Sequence, residues 1–259
     1  MFTAKTDKIH NLSEKHSKVI PELESLLIGN VYVYIDYANV RPWSEKLKWH
    51  IDLKRLKQFL DSFDNIIDIK FYCGTLANDD KSEKETVEIQ KYGYSLRTKP
   101  VKIMKFSIDA SSVEEDSAAL LEQFIRRSLL RKYRGETIVY LNKCFADMNK
   151  LGNLFIEDRK CNFDVEIGID MLLDAERLDL NTVVLWSGDS DFHDPLQKLL
   201  RHGKKVILFA TSRRISRELN NLRQEGLIIF DIQKIRSYIC WNREIPDSKK
   251  DFHSEAPKL

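Results

Sequence analysis

Glycine, proline and cysteine are scarce in this chain, a surplus of either charge is missing, and no long apolar run occurs. With only 9 glycines and 6 prolines in 259 residues, collagen-like, low-complexity and wholly disordered chains are excluded. The 4 cysteines (Cys73, Cys144, Cys161, Cys240) lie far apart and form no CxxC pair, so neither a zinc site nor a disulfide framework is expected. The 6 histidines are scattered without HExxH or HxH, which argues against a histidine-held metal. Lys+Arg 42 against Asp+Glu 40 leaves a formal charge of +2, too little for a global field that announces a polyanion partner. No apolar run approaches the roughly 18 residues of a membrane span. The first residues lack the apolar segment of a secretory signal. A cytoplasmic globular protein with no membrane association is the expectation.

What is present is alternation. A polar stretch over residues 1–29 reads as an N-terminal extension, with a short amphipathic helix at Ile20–Leu27. Val31–Ile35 is a continuous β-branched and aromatic run, as a buried parallel strand should be. Further strands are expected at Asn65–Cys73, Val183–Ser187, Val206–Ala210 and Leu227–Phe230, and an edge-like one at Leu96–Phe106, where Pro100 cannot donate to a ladder. Helices are expected at Leu53–Leu60, Lys81–Tyr92, Ser117–Lys132, Asp164–Ala175, Pro195–His202 and Ile215–Leu222. Thr137–Leu141 and Leu154–Ile156 read as an additional strand pair, and residues 241–259 as a disordered tail. The pattern predicts an α/β doubly wound, mostly parallel sheet with helices on both faces. The domain spans 30–240, with a helical and hairpin insertion at about 107–160. Ligands of such sheets bind at the carboxyl ends of the strands, near the point where strand order reverses.

Acids stand at those ends. Val31–Ile35 runs into Asp36-Tyr37-Ala38-Asn39, and Val183–Ser187 into Gly188-Asp189-Ser190-Asp191-Phe192. The helix DVEIGIDMLLDA opens with Asp164. Carboxylates converging without a basic partner cannot all stay ionised unless a cation compensates. Oxygen ligands without His or Cys suit Mg²⁺ or Mn²⁺, and one or two such ions would serve phosphodiester hydrolysis. Singly, each acid also reads as a turn or helix-cap residue. A helical wheel sets Asp164, Gly168 and Met171 beside an apolar face of Val165, Ile169 and Leu172, and turns Glu166, Asp170 and Asp174 to solvent.

Taken in order, IDYANV at 35–40, DVEIGIDML at 164–172 and SGDSDF at 187–192 resemble the NYN domain in its bacterial LabA-like branch, related to the PIN-type nucleases. YGYSLRTKPVK at 92–102, HGKKVILFA at 202–210, SREL at 216–219 and IIFDI at 228–232 fit as well, so the resemblance covers roughly residues 30–235. It implies a PIN-like fold and a metal-dependent ribonuclease, with Mg²⁺ or Mn²⁺ held by Asp36, Asp164, Asp189 and Asp191 as the catalytic acids. Asn39 and Ser187 match positions lining the family's site, and Asp170 matches a recurrent family acid.

RNA needs cationic contacts even on a near-neutral chain. Arg213, Arg214 and Arg217 follow the strand VILFA on the rim of the acids and are the favoured RNA contacts. Lys99, Lys102 and Lys105 share an extended segment, and Arg126, Arg127, Arg131, Lys132 and Arg134 mark the inserted helix, whose apolar side offers a face for a homodimer. Tyr37 is placed either to stack on a base or to pack. The rival reading is an RNA- or nucleotide-binding regulatory module with little or no cleavage. A haloacid-dehalogenase-like enzyme lacks its DxD, since Tyr37-Ala38 follow Asp36, and no GxGxxG follows a strand to hold a dinucleotide.

Overall fold

The structure, a computed structural model, describes residues 1–76, 79–132, 135–177, 179–211 and 215–241. Its strands are β1 (Val31–Asp36), β2 (Ile66–Thr75), β3 (Ser95–Pro100), β4 (Lys102–Ser107), β5 (Phe155–Lys160), β6 (Thr182–Trp186), β7 (Lys205–Ala210) and β8 (Ile228–Asp231). The helices are α1 (Asp7–Lys15), α2 (Val19–Leu26), α3 (Tyr37–Val40), α4 (Trp43–Leu47), α5 (Leu53–Leu60), α6 (Asp80–Lys91), α7 (Arg127–Leu130), α8 (Gly135–Lys150), α9 (Asp164–Arg177), α10 (His193–Arg201), α11 (Arg217–Asn221) and α12 (Arg236–Ile239). The chain folds as two units, one made of residues 1–100 with 162–259 and the other of residues 101–161. Among the described residues no helix is long and apolar enough to cross a membrane.

The larger unit is a six-stranded sheet in the order β3-β2-β1-β6-β7-β8, parallel throughout. All of β6 is buried, as are nearly all of β1 and β7, so these strands read as unbroken apolar runs rather than alternating ones. The chain winds outward from β1 to β3 and then from β6 to β8. The strand order therefore reverses between β1 and β6, where a parallel α/β sheet leaves a crevice at its carboxyl edge. Entry into β1 requires Gly29 (φ +65), where a Cβ would lie 2.4 Å from the Asn181 side chain that accepts the Asn30 amide. Asp52 and Asp79 cap α5 and α6 by accepting the amides of Arg55 and Ser82 at 3.0 and 2.9 Å, the arrangement that satisfies orphan amides of a first turn.

Residues 1–29 are more ordered than their polarity suggests. Thr6 caps α1 through the Ile9 amide at 3.3 Å, Ile9, Ile20 and Leu23 are buried, and Leu12 accepts the Tyr238 hydroxyl at 3.0 Å. Leu96–Phe106 is not one strand. The edge strand β3 ends at Pro100, and β4 pairs antiparallel with β5 in a separate two-stranded sheet. Lys99 consequently lies on a different sheet from Lys102 and Lys105.

Within the smaller unit, the long helix expected at Ser117–Lys132 does not form. Its stretch holds a 3-10 turn at Leu121–Gln123 and the single turn of α7. Asn142 Nδ2, from α8, donates to the carbonyls of Glu115 and Ser117 at 2.9 and 2.8 Å and so ties the start of this stretch to that helix. Leu120, Leu121 and Leu130 are buried while Phe124 and Leu129 are exposed. Thr137–Leu141, expected as a strand, lies inside the 16-residue α8. β-branched residues favour strands only weakly, and here they stand within a helix.

Candidate active site

The reversal point carries three loops. Asp36, the last residue of β1, is 3% exposed. Its Oδ1 accepts the Asn39 amide at 3.3 Å, capping α3, and its Oδ2 accepts the Ser187 hydroxyl at 3.1 Å from the end of β6. Asn39 Oδ1 in turn accepts the Gly188 amide at 3.2 Å, so two hydrogen bonds stitch the β1 loop to the β6 loop across the switch point. Ser187 Oγ also accepts the Asp189 amide at 3.3 Å, and Asp189 accepts the Asp191 amide at 3.3 Å as the cap of the 3-10 turn Ser190–Phe192. The sequence Ser-Gly-Asp-Ser-Asp thus folds into a turn whose own side chains hold it, as short polar residues after a strand do.

Asp164 enters from α9. Asn162 Oδ1 accepts its amide at 2.8 Å, and its Oδ2 is buried without a hydrogen-bond partner. Gly168 allows the approach of α9 to α10, since a Cβ there would lie 3.2 Å from Pro195 Cγ. The acids perturb one another. Burial pushes the Asp36 carboxyl up to about 6, against the Asn39 amide and Ser187 hydroxyl that favour its charge, and Asp164 and Asp189 add repulsion. Asp164 is likewise pushed up to about 6, first by burial and then by Asp189 and Asp191. The four acids therefore form one electrostatic group. As placed, no three His, Cys, Asp or Glu side chains among the described residues stand close enough together to hold one ion.

Two hollows flank this group. One of about 530 Å³ is lined by Asn39, Trp43, Gly188, Asp189, Ile215 and Ser216 among others. The other, about 590 Å³, has Asp164 and Asp191 in its wall beside Val165, Ile169, Leu172 and Pro195.

Residues 30–229 match the NYN domain. The chain belongs to the NYN domain family. That family lies in a nuclease superfamily. Over 88 residues this NYN domain is 34% identical to the low amplitude and bright protein LabA of Synechococcus elongatus, a stretch that is 34% of this chain and 44% of the relative, so the chain spans under half of that relative's length. A solved structure of a Vibrio parahaemolyticus protein of unknown function aligns over 82% of this chain and 96% of its own at 17% identity, with a TM-score of 0.48.

The remaining expected residues of the NYN domain fall elsewhere. Asp170 is buried against the sheet, where its Oδ2 accepts the Tyr72 hydroxyl at 2.6 Å and pairs with Arg97 Nε at 3.2 Å. One turn on, Asp174 accepts the Tyr34 hydroxyl at 2.6 Å and pairs with Lys70. The solvated face expected for these two acids is thus the sheet-facing side of α9, while Val165 and Ile169 are 70% and 51% exposed. Polar groups projecting from β1, β2 and β3 invert the helix's expected orientation. Glu166 pairs with Lys99 at 2.6 Å. Tyr37 packs on Phe71 with ring centroids 4.9 Å apart, the packing alternative rather than a free stacking platform. Arg217 is exposed on α11, Lys102 belongs to the other unit, and Arg213 and Arg214 lie outside the described residues. Trp43 and Asn162, which line the hollows, carry no signal in the sequence beyond Asn162 lying two residues ahead of a helix acid.

The donor set fits a hard divalent cation. It offers carboxylate oxygens from separate elements, one of them buried and unpartnered at Asp164, and repulsion that a cation would relieve. The exposed Asp191 already meets Asp164 through a side-chain hydrogen bond in the wall of the same hollow.

Proposed function

We propose that this NYN domain is a divalent-metal-dependent ribonuclease that hydrolyses RNA phosphodiester bonds at the cleft of Asp36, Asp164, Asp189 and Asp191. The observation that carries the reading is the pair Asp36 and Asp164, brought from a strand end and a helix start to one electrostatic group in which both carboxyls are raised to about 6. Groups so perturbed, at the switch point of a parallel sheet, mark a functional site. Asp36, Asp164, Asp189 and Asp191 are the residues that would hold a Mg²⁺ or Mn²⁺ ion, which would supply Lewis-acid activation of water and charge compensation at the phosphate.

The chain's own residues do the rest. Ser187 and Asn39 fix the rotamer of Asp36 and favour its ionised form, the one able to bind a cation. Asn162 sets the start of α9 and so the reach of Asp164. Arg217 stands on the helix that Ser216 caps, and the Ser216 amide donates to Gly188 O at 3.1 Å, which links this cation to the acid loop as a phosphate contact. Arg213 and Arg214, preceding it in the chain, and Lys102 are proposed as further RNA contacts.

The test incubates purified full chain with labelled RNA, with and without Mn²⁺ or Mg²⁺, beside Asp36→Asn and Asp189→Asn. Metal-dependent cleavage by wild type and its loss in both variants is expected. Binding without cleavage would replace the nuclease with an RNA-binding module; cleavage equal in wild type and variants would remove the acids from the mechanism.

A further inference from the structure

A third hollow opens at the carboxyl ends of β7 and β8. Its volume is about 470 Å³, within the usual range for small-ligand sites. Ala210, Ile215 and Ile229 give it an apolar floor, and Arg217, Arg223 and Asn220 stand around it as exposed polar groups. Among the described residues neither arginine has an ion-pair partner. Asp231 adds a carboxylate to the wall and already accepts the Gln233 amide at 3.0 Å. This hollow shares Ile215 and Ser216 with the one lined by Asn39 and Asp189. The two hollows therefore adjoin at Ile215 and Ser216, at the carboxyl edge of the sheet.

An apolar floor ringed by guanidinium groups suits one chemistry well: a planar base lying on aliphatic side chains, with its phosphate met by planar, charge-assisted donors. Continuity with the acid cleft says whose nucleotide it is. A strand whose phosphodiester lay at the acids would bring its adjoining residues to this neighbouring hollow, where Asp231 and Asn220 offer polar groups to a ribose hydroxyl or base edge. We propose that the hollow at the ends of β7 and β8 is a second nucleotide subsite, in which Arg217 and Arg223 hold the phosphate, and Ile215 and Ile229 the base, of a nucleotide further along the bound RNA strand. The subsite rests on the reading of the acid cleft as an RNA site.

Fluorescence anisotropy with the full chain in EDTA tests it, using labelled RNA of two lengths, a dinucleotide and an octanucleotide, and free uridine monophosphate as competitor. Wild type is expected to gain affinity with length. Arg217→Ala plus Arg223→Ala should weaken octanucleotide binding about tenfold and lower its salt slope by about 0.7, the share of one single-strand phosphate. Arg217→Lys plus Arg223→Lys should recover part of the loss, because charge remains while the fork is gone. Unchanged affinity and slope in the alanine variant would overturn the subsite. So would full competition by the free mononucleotide with no gain from length, which would make it a mononucleotide pocket. The nuclease reading is judged apart, by Mn²⁺-dependent hydrolysis of a small chromogenic phosphodiester by wild type, a substrate too short to reach the subsite. Failure there with the anisotropy intact leaves an RNA-binding trough without catalysis.

Discussion

Ser187 donates its hydroxyl hydrogen to Asp36 across 3.1 Å, from the end of one central strand to the end of its parallel neighbour. Both groups are buried, 0% and 3% exposed, and the bond spans the point where the strand order turns. It favours the charged carboxylate in a place whose burial favours the neutral one.

Loss of that hydroxyl shifts the pH at which Asp36 ionises. In Ser187→Ala the carboxyl is expected to rise further above its value of about 6, so binding of Mn²⁺ weakens more at pH 6 than at pH 8. Calorimetric titration of Mn²⁺ at both pH values checks this. An equal loss at both would make the hydroxyl a packing group only.

Metal-free stability should follow the same carboxyl. Its folded value of about 6 lies above the 3.8 of an exposed Asp, so the folded state holds a proton that the unfolded chain has released. Folding is penalised from about pH 4 upward and fully above pH 6, and stability in EDTA rises as pH falls through that window. Asp36→Asn removes the penalty, giving a gain of up to about 3 kcal/mol at pH 7.5 in EDTA together with loss of stabilisation by Mn²⁺. Urea unfolding across pH 4–8 measures both; a variant less stable than wild type at pH 7.5 would contradict it.

The inner face of α9 carries a different cost. Removing the Tyr72 hydroxyl in Tyr72→Phe leaves Asp170 its Arg97 partner and should cost about 1 kcal/mol, whereas Asp170→Ala strands a buried hydroxyl and should cost about 1–3 kcal/mol or more. A double-mutant cycle should return a coupling of at least about 0.5 kcal/mol. Additive losses would show that the 2.6 Å bond contributes little.

Gly168 sets the closeness of α9 to α10. Since a Cβ would already be 3.2 Å from Pro195 Cγ, Gly168→Val is expected to destabilise by about 1–3 kcal/mol and to shift Asp164 relative to Asp191. Reduced thermal stabilisation by Mn²⁺, beyond the loss in EDTA, is the readout. A parallel fall in both would restrict the glycine to packing.

The alternation of strands and helices was legible because central strands buried on both faces must be continuous apolar runs, as VYVYI and VILFA are. The acids were legible because Asp36 and Asp189 directly follow such runs, and Pro100 marked the edge strand β3 by its missing amide hydrogen. Other features were hidden by what lies opposite them. The stripe at Leu120–Leu129 has helical spacing, but Asn142, distant in sequence, holds the carbonyls of Glu115 and Ser117 just ahead of it. A helical wheel of α9 turns Asp170 and Asp174 outward because it assumes an apolar sheet, and the sheet presents Tyr34, Lys70, Tyr72 and Arg97 instead.

By itself the sequence determined the parallel α/β architecture, the carboxylates at its strand ends and the absence of any competing metal or dinucleotide motif, because these follow from local periodicity and residue type. Only the tertiary structure decided which acids act as one group and which are spent on the sheet. Burial and mutual repulsion depend on the strand order that sets β1 beside β6, and a helix's inner face depends on the side chains it meets.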